Sequence, residues 1–145
     1  MIDLGKLLPG LRGRSIHVVE TAKAAEVVQK LKAAGFSLHM IRGERATDKN
    51  TFLAEAAEAF DFPVRFGKNW DAFIDSFADF LDSVPMPAAV VWTRADLLVG
   101  RDLQSFVEAI TTFDSAAVER EMSAEDDEKV QVEFFVLLGE PPKAS

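Results

Sequence analysis

The 145-residue chain contains no cysteine. That removes disulfides and thiolate metal sites together, and nothing calls for an oxidising compartment. Long apolar runs are missing too: the opening Met1-Ile2-Asp3-Leu4-Gly5-Lys6 places an acid near the front, and no stretch is long enough for a secretory h-region or a membrane span. The expectation is a soluble cytoplasmic protein with no membrane partner. Positive charge is scarce, 16 Lys and Arg against 24 Asp and Glu, for a net charge of −8. Such a field repels nucleic-acid backbones, so direct nucleic-acid binding is not expected, whereas a basic protein is attracted. Gly10-Leu11-Arg12-Gly13 is no phosphate-cradling loop, and His17 and His39 stand isolated on strand-like segments without a second ligand or nucleophile. No catalytic residue, metal or cofactor is assigned.

What is present is an alternation of strand and helix patterns in one domain, long enough to bury a core without staples. Residues 1–13 read as a lead-in. Ser15 to Glu20 reads as a strand, Thr21 to Ala34 as an amphipathic helix opened by a Thr cap and closed by Gly35, and Phe36 to Ile41 as a second strand. That is a βαβ unit, which predicts parallel neighbouring strands. Thr47 to Phe60 is a helix, and Asp61 to Gly67 a loop. After the next helix, Pro85-Met86-Pro87 starts a strand over Ala88 to Trp92. A helical region runs from Ala95 to Met122 with a break near Gly100, and Glu119 to Glu128 reads as a solvated acidic loop. Val130 to Leu138 is the most apolar strand, predicted at or near the sheet centre, ahead of a flexible tail over residues 140–145. The predicted fold is α/β: a small, mostly parallel sheet of three to four strands with four to five helices.

The most informative stretch is residues 62–84. At about 100° per residue, Trp70, Phe73, Ile74, Phe77, Phe80, Leu81 and Val84 gather on one side of a helix and Asp71, Asp75, Asp79 and Asp82 on another. Asn69 is placed as the N-cap, and Asp71 complements the positive first turn. A plain reading makes the acidic row a solvated face. Yet four carboxylates one turn apart repel by a few tenths of a kcal/mol per pair, and no cation is interleaved on the helix.

Phe62-Pro63 followed by Phe66-Gly67-Lys68-Asn69-Trp70-Asp71-Ala72-Phe73 and Asp75 resembles the signature segment of the barstar family, intracellular inhibitors of the extracellular ribonuclease barnase. Ala89 to Arg94 resembles that family's next strand, Leu103 to Ala109 its following helix, and Val130 to Leu138 its last strand. The likeness spans residues 36–139, so residues 1–35 would be an N-terminal strand and helix added to a barstar-like core. The resemblance implies an immunity protein that is monomeric when free and blocks a basic extracellular or toxin ribonuclease. On that reading Asp71 and Asp75 enter the nuclease site as phosphate mimics, Arg65, Phe66, Gly67 and Asn69 lie beside them, Ile74 and Asp79 continue the surface, and Glu108 adds an anionic contact from the neighbouring helix.

The chain departs from the family pattern at several of these places. Arg65 and Ile74 stand where the family has aromatics, Asp79 where it has glycine, and Phe80 where it has tryptophan. An acidic interaction module of the same fold, with a different basic partner, is therefore the second reading. The third is a hydrolase using Asp71 and Asp75 as an acid–base pair. Carboxylates at i and i+4 of one helix point the same way, about 5–6 Å apart at Cβ, and do not flank a substrate bond.

Overall fold

Composition sorts the strands of this protein into inner and outer places. The structure, a computed structural model, describes residues 4–8, 15–63, 69–123 and 130–140. Its strands are β1 (Ile16–Glu20), β2 (Ser37–Arg42), β3 (Ala88–Thr93) and β4 (Val132–Leu138), all parallel, in the order β1-β4-β3-β2. Apart from Thr93 and Glu133, whose carboxylate meets the His17 ring nitrogen at 3.0 Å, β3 and β4 are apolar on both faces and almost wholly buried, as the two-sided covering of a parallel sheet requires. β1 and β2 carry the polar residues His17, Glu20, Ser37, His39 and Arg42 and take the edges. The centre predicted for the last strand is thus observed. The predicted pairing of the first two strands is not: β1 and β2 are parallel but sit at opposite edges, because the two more apolar strands occupy the positions between them.

Helices cover both faces. On one, Val27 and Leu31 of α2 (Ala24–Ala33) pack with Ala89, Val91, Phe135 and Leu137 from the two inner strands, and with Leu8 beyond the short helix α1 (Leu4–Leu7). On the other lie α3 (Lys49–Ala59), α4 (Trp70–Ser83), α5 (Asp96–Arg101) and α6 (Leu103–Ser123), over Ile41, Val90, Trp92, Phe134 and Val136. The core there is a stack of aromatic rings: Phe77 lies 5.1 Å from Phe60 and 5.2 Å from Phe113, and Phe113 stacks at 4.8 Å on Phe134.

The ends of the helices are written locally. Gly35, at φ 92°, closes α2 in a Schellman arrangement: Phe36 N–H donates to Leu31 O at 3.1 Å and Gly35 N–H to Lys32 O at 3.1 Å, with Phe36 and Leu31 in one apolar cluster. At its start the predicted Thr21 cap is absent. Thr21–Lys23 forms a 3₁₀ turn, the Thr21 hydroxyl is buried without a hydrogen bond among the described residues, and α2 begins at Ala24. α3 starts two residues later than predicted, at Lys49, because Asp48 is its N-cap. Asp48 Oδ1 accepts the Thr51 N–H at 2.8 Å while Thr51 Oγ1 accepts the Asp48 N–H at 3.0 Å.

The break between α5 and α6, predicted near Gly100, falls two residues after it, at Asp102. Asp102 leaves the helical conformation, at φ −153° and ψ 73°, and its carboxylate accepts the Ser105 hydroxyl at 2.7 Å and N–H at 3.2 Å, restarting the helix. α6 continues through Ser123, so residues 119–123 of the predicted acidic loop are helical, while 124–129 lie outside the described residues. β4 begins at Val132 rather than at Val130. The lead-in glycines and the tail over residues 141–145 also lie outside the described residues.

Beyond the apolar core, ion pairs tie strand ends to helices. The Arg42 guanidinium donates to buried Glu55 at 2.9 and 3.3 Å and to Glu58 at 2.9 Å, fastening β2 to α3. Arg94, in a left-handed conformation at φ 49°, donates to both oxygens of Asp96 at 3.1 Å, and Asp96 in turn accepts the Gly139 N–H at 3.1 Å after β4. No helix among the described residues is long and apolar enough to cross a membrane.

Candidate functional site

α4 is built to hold one face still and show the other. Asn69 is extended, and its side-chain oxygen accepts the Ala72 N–H at 2.8 Å, fixing the first turn. Val84 and Pro85 end the helix. Between them Phe73, Phe77 and Leu81 are buried against the aromatic stack. A helix anchored this way has little freedom to rotate or fray.

The opposite face carries Asp71, Asp75, Asp79 and Asp82, all exposed. Asp71 to Asp79 spans about 12 Å at 1.5 Å rise per residue. Asp71, Asp75 and Asp79 make no ion pair or side-chain hydrogen bond among the described residues. Asp82 differs: Arg120 of α6 reaches across at 2.8 Å and neutralises it. The fourth carboxylate is thus a link between helices, a role invisible to a reading confined to α4. Its partner lies 38 positions away, with nothing local to announce it.

Ile74 sits between Asp71 and Asp75, 47 % exposed, an uncovered apolar group inside an acidic row. Glu108 lies on α6, partly exposed. Phe73 and Phe77 both pack on Phe113, and Asp82 meets Arg120, so α4 and α6 run side by side in the same direction. The Asp71 end of α4 is therefore level with the Glu108 end of α6. Towards their far ends, Ala78, Leu81, Asp82, Ala116, Glu119, Arg120 and Ser123 line a cleft of about 160 Å³.

Asp71, Ile74, Asp75 and Asp79 thus share one exposed face, with Asn69 at its head and Glu108 beside it. Arg65, Phe66 and Gly67 lie outside the described residues. Of the residues that periodicity groups with the core face, Ile74 is exposed instead, and Trp70 and Phe80 are only partly buried. Trp70 packs on Phe52 and Phe73, and Phe80 on Phe60 and His39. The sequence reading missed a second exposed feature, a row of apolar residues on α6: Leu103, Val107, Val118 and Met122. The signal for it was a surplus of apolar residues in α6 beyond those needed for one core stripe.

Chemically, three carboxylates on a fixed helix, unpaired among the described residues, can accept hydrogen bonds from cations. No group of three or more His, Asp or Glu able to hold a metal ion occurs among the described residues. A protein-family model described as Barstar (barnase inhibitor) matches residues 36–138, well over half of the chain. No curated protein matches. Among solved structures, one similar chain is the Orc1 protein of Aeropyrum pernix in complex with DNA, at 14 % identity and a TM-score of 0.47. The alignment covers 92 % of this chain and 36 % of that one, so the chain spans about a third of Orc1's length, and so loose a likeness carries no functional weight.

Proposed function

Because the chain belongs to the Barstar family, we propose that it is a stoichiometric inhibitor of a barnase-type ribonuclease, closing the nuclease's active site with α4. The observation that carries this reading is the row Asp71, Asp75 and Asp79: exposed, held on a capped and packed helix, and without a cation of its own among the described residues. An RNase active site is built to hold phosphodiester oxygens with Arg, Lys and His, and carboxylates at one-turn spacing offer those groups charge-assisted acceptors in place of phosphate. The helix is ordered before contact, so binding loses little entropy there, and the net charge of −8 steers a basic partner towards it. As an inhibitor the protein performs no chemistry on the RNA, and its place of action would be the cytoplasm of the cell it protects.

One feature supports a variant of this reading. Ile74 is apolar and uncovered between the first two carboxylates, which favours a partner with an apolar recess beside its cationic cleft. That selects among basic partners without changing the mode of binding. The test is titration of this protein into barnase with RNA cleavage as the readout. Loss of cleavage at one-to-one stoichiometry is the expected result. Full cleavage at micromolar excess overturns the reading.

A further inference from the structure

α6 buries Ser105, Ala109, Phe113 and Ala117 against the core, yet it also presents four apolar side chains to solvent: Leu103 at 58 %, Val107 at 52 %, Val118 at 44 % and Met122 at 82 % exposure. Their spacing of 4, 11 and 4 residues keeps them on one gently drifting strip of the helix surface. From Leu103 to Met122 the strip is about 28 Å long at 1.5 Å per residue. Isolated exposed apolar residues are ordinary, but two pairs on one side of a helix, with only Thr111 and Asp114 exposed between them on that side, are less so.

On α6 itself the charges beside the strip are negative apart from Arg120. Asp114, Glu119 and Glu121 are exposed on the same helix and Glu108 partly so. The one cation of α6, Arg120, is engaged by Asp82. Two copies of such a surface would bring carboxylates against carboxylates, which argues against self-association through it. A partner that covers it must combine apolar side chains with surplus Lys or Arg. The face of α4 alone is narrow, one row of carboxylates and Ile74, whereas a specific complex buries about 800 Å² on each side, a patch roughly 30 Å across. The outward faces of α4 and α6, side by side, supply that breadth.

We propose that the Leu103–Val107–Val118–Met122 strip is a second docking element for the same basic protein that takes α4, which straddles both helices. This rests on the reading of α4 above. α4 supplies charge and α6 supplies apolar contact, so the two halves respond differently to mutation.

The experiment compares three full-length proteins binding barnase: wild type, Asp75→Ala, and the double variant Val107→Ser/Met122→Ser, whose substitutions lie on exposed positions. The expected result is dissociation about tenfold faster for the double variant, with its salt dependence of association unchanged, because apolar contact is lost and the field is not. If Asp75→Ala accelerates dissociation while the double variant leaves it unchanged, the strip is overturned and the α4 reading stands. If wild type forms no complex, both are overturned. A free protein that sediments as a dimer, and as a monomer in the double variant, assigns the strip to a second copy and overturns the proposal.

Discussion

Single residues here divide into those that hold the fold and those left for a partner. Asp75 belongs to the second kind. It is exposed, flanked one turn away by Asp71 and Asp79, and makes no ion pair or side-chain hydrogen bond among the described residues. Asp75→Ala should therefore leave the melting temperature of the free protein unchanged or slightly raised, since a like-charge neighbour is removed. In complex with barnase the same change should cost about 2–5 kcal/mol, mostly as faster dissociation, because it strands the nuclease's buried cations. Calorimetric unfolding of the free variant beside its dissociation rate checks both halves.

His39 is of the first kind. It stands at the β2 edge with its ring edge-on to Phe80 at 4.8 Å and one nitrogen 3.3 Å from the Ser37 hydroxyl, and burial lowers its pKa from 6.5. The unfolded chain then holds the extra proton at a pH where the folded one does not. Stability supplied by His39 is thus complete above the unfolded value of 6.5 and is lost as pH falls towards the lowered folded value. His39→Gln should flatten the decline of melting temperature between about pH 7 and pH 5, relative to wild type. An unchanged slope would assign the decline to other groups.

Elements show how far local chemistry carries. The start, the end and the two faces of α4 follow from Asn69, Pro85 and a 3.6-residue period, all within one short stretch, and the helix is found where that stretch places it. Asn69→Ala should cost about 1 kcal/mol in thermal unfolding by removing the acceptor for the Ala72 N–H, and a larger loss would show a role beyond capping. The exposure of Asp71 and Asp75 was legible for the same reason. What was not legible depends on residues far apart in the chain.

Sheet order is the clearest case. β1 and β2 satisfy every local sign of a paired βαβ unit, yet the energetic preference of β3 and β4 for burial on both faces forces them apart, and no local pattern encodes that competition. The Asp82–Arg120 pair is another: periodicity puts Asp82 in the acidic row, and only packing of α6 beside α4 removes it from the set of free charges. At Asp102 and Asp48 the boundary is set by a side chain that accepts from the residue three positions on, which moves it by two residues from where the sequence pattern placed it.

For the molecule as a whole, the family match and the folding unit do not coincide. Residues 36–138 carry the match, but β1 completes the sheet beside β4, and α2 lays Val27 and Leu31 over Ala89, Val91, Phe135 and Leu137. A chain starting at Phe36 would leave those four apolar residues open to water. It should bind a hydrophobic dye or aggregate where the full chain does not, and a cooperative, dye-silent unfolding transition in the truncated chain would show that α2 is dispensable.

Charge acts at this scale too. With a net of −8 and three carboxylates aligned on α4 that are unpaired among the described residues, long-range attraction should act before any contact forms. Raising ionic strength from about 0.01 M to about 0.15 M shortens the Debye length from about 30 Å to about 8 Å, less than the size of the protein. Association with barnase should slow markedly over that interval while dissociation, governed by contacts already desolvated, changes little. Stopped-flow association at several salt concentrations checks it. A flat profile would mean that the acidic row meets its target only at contact, and the carboxylates of α4 would then contribute to holding the partner without helping to find it.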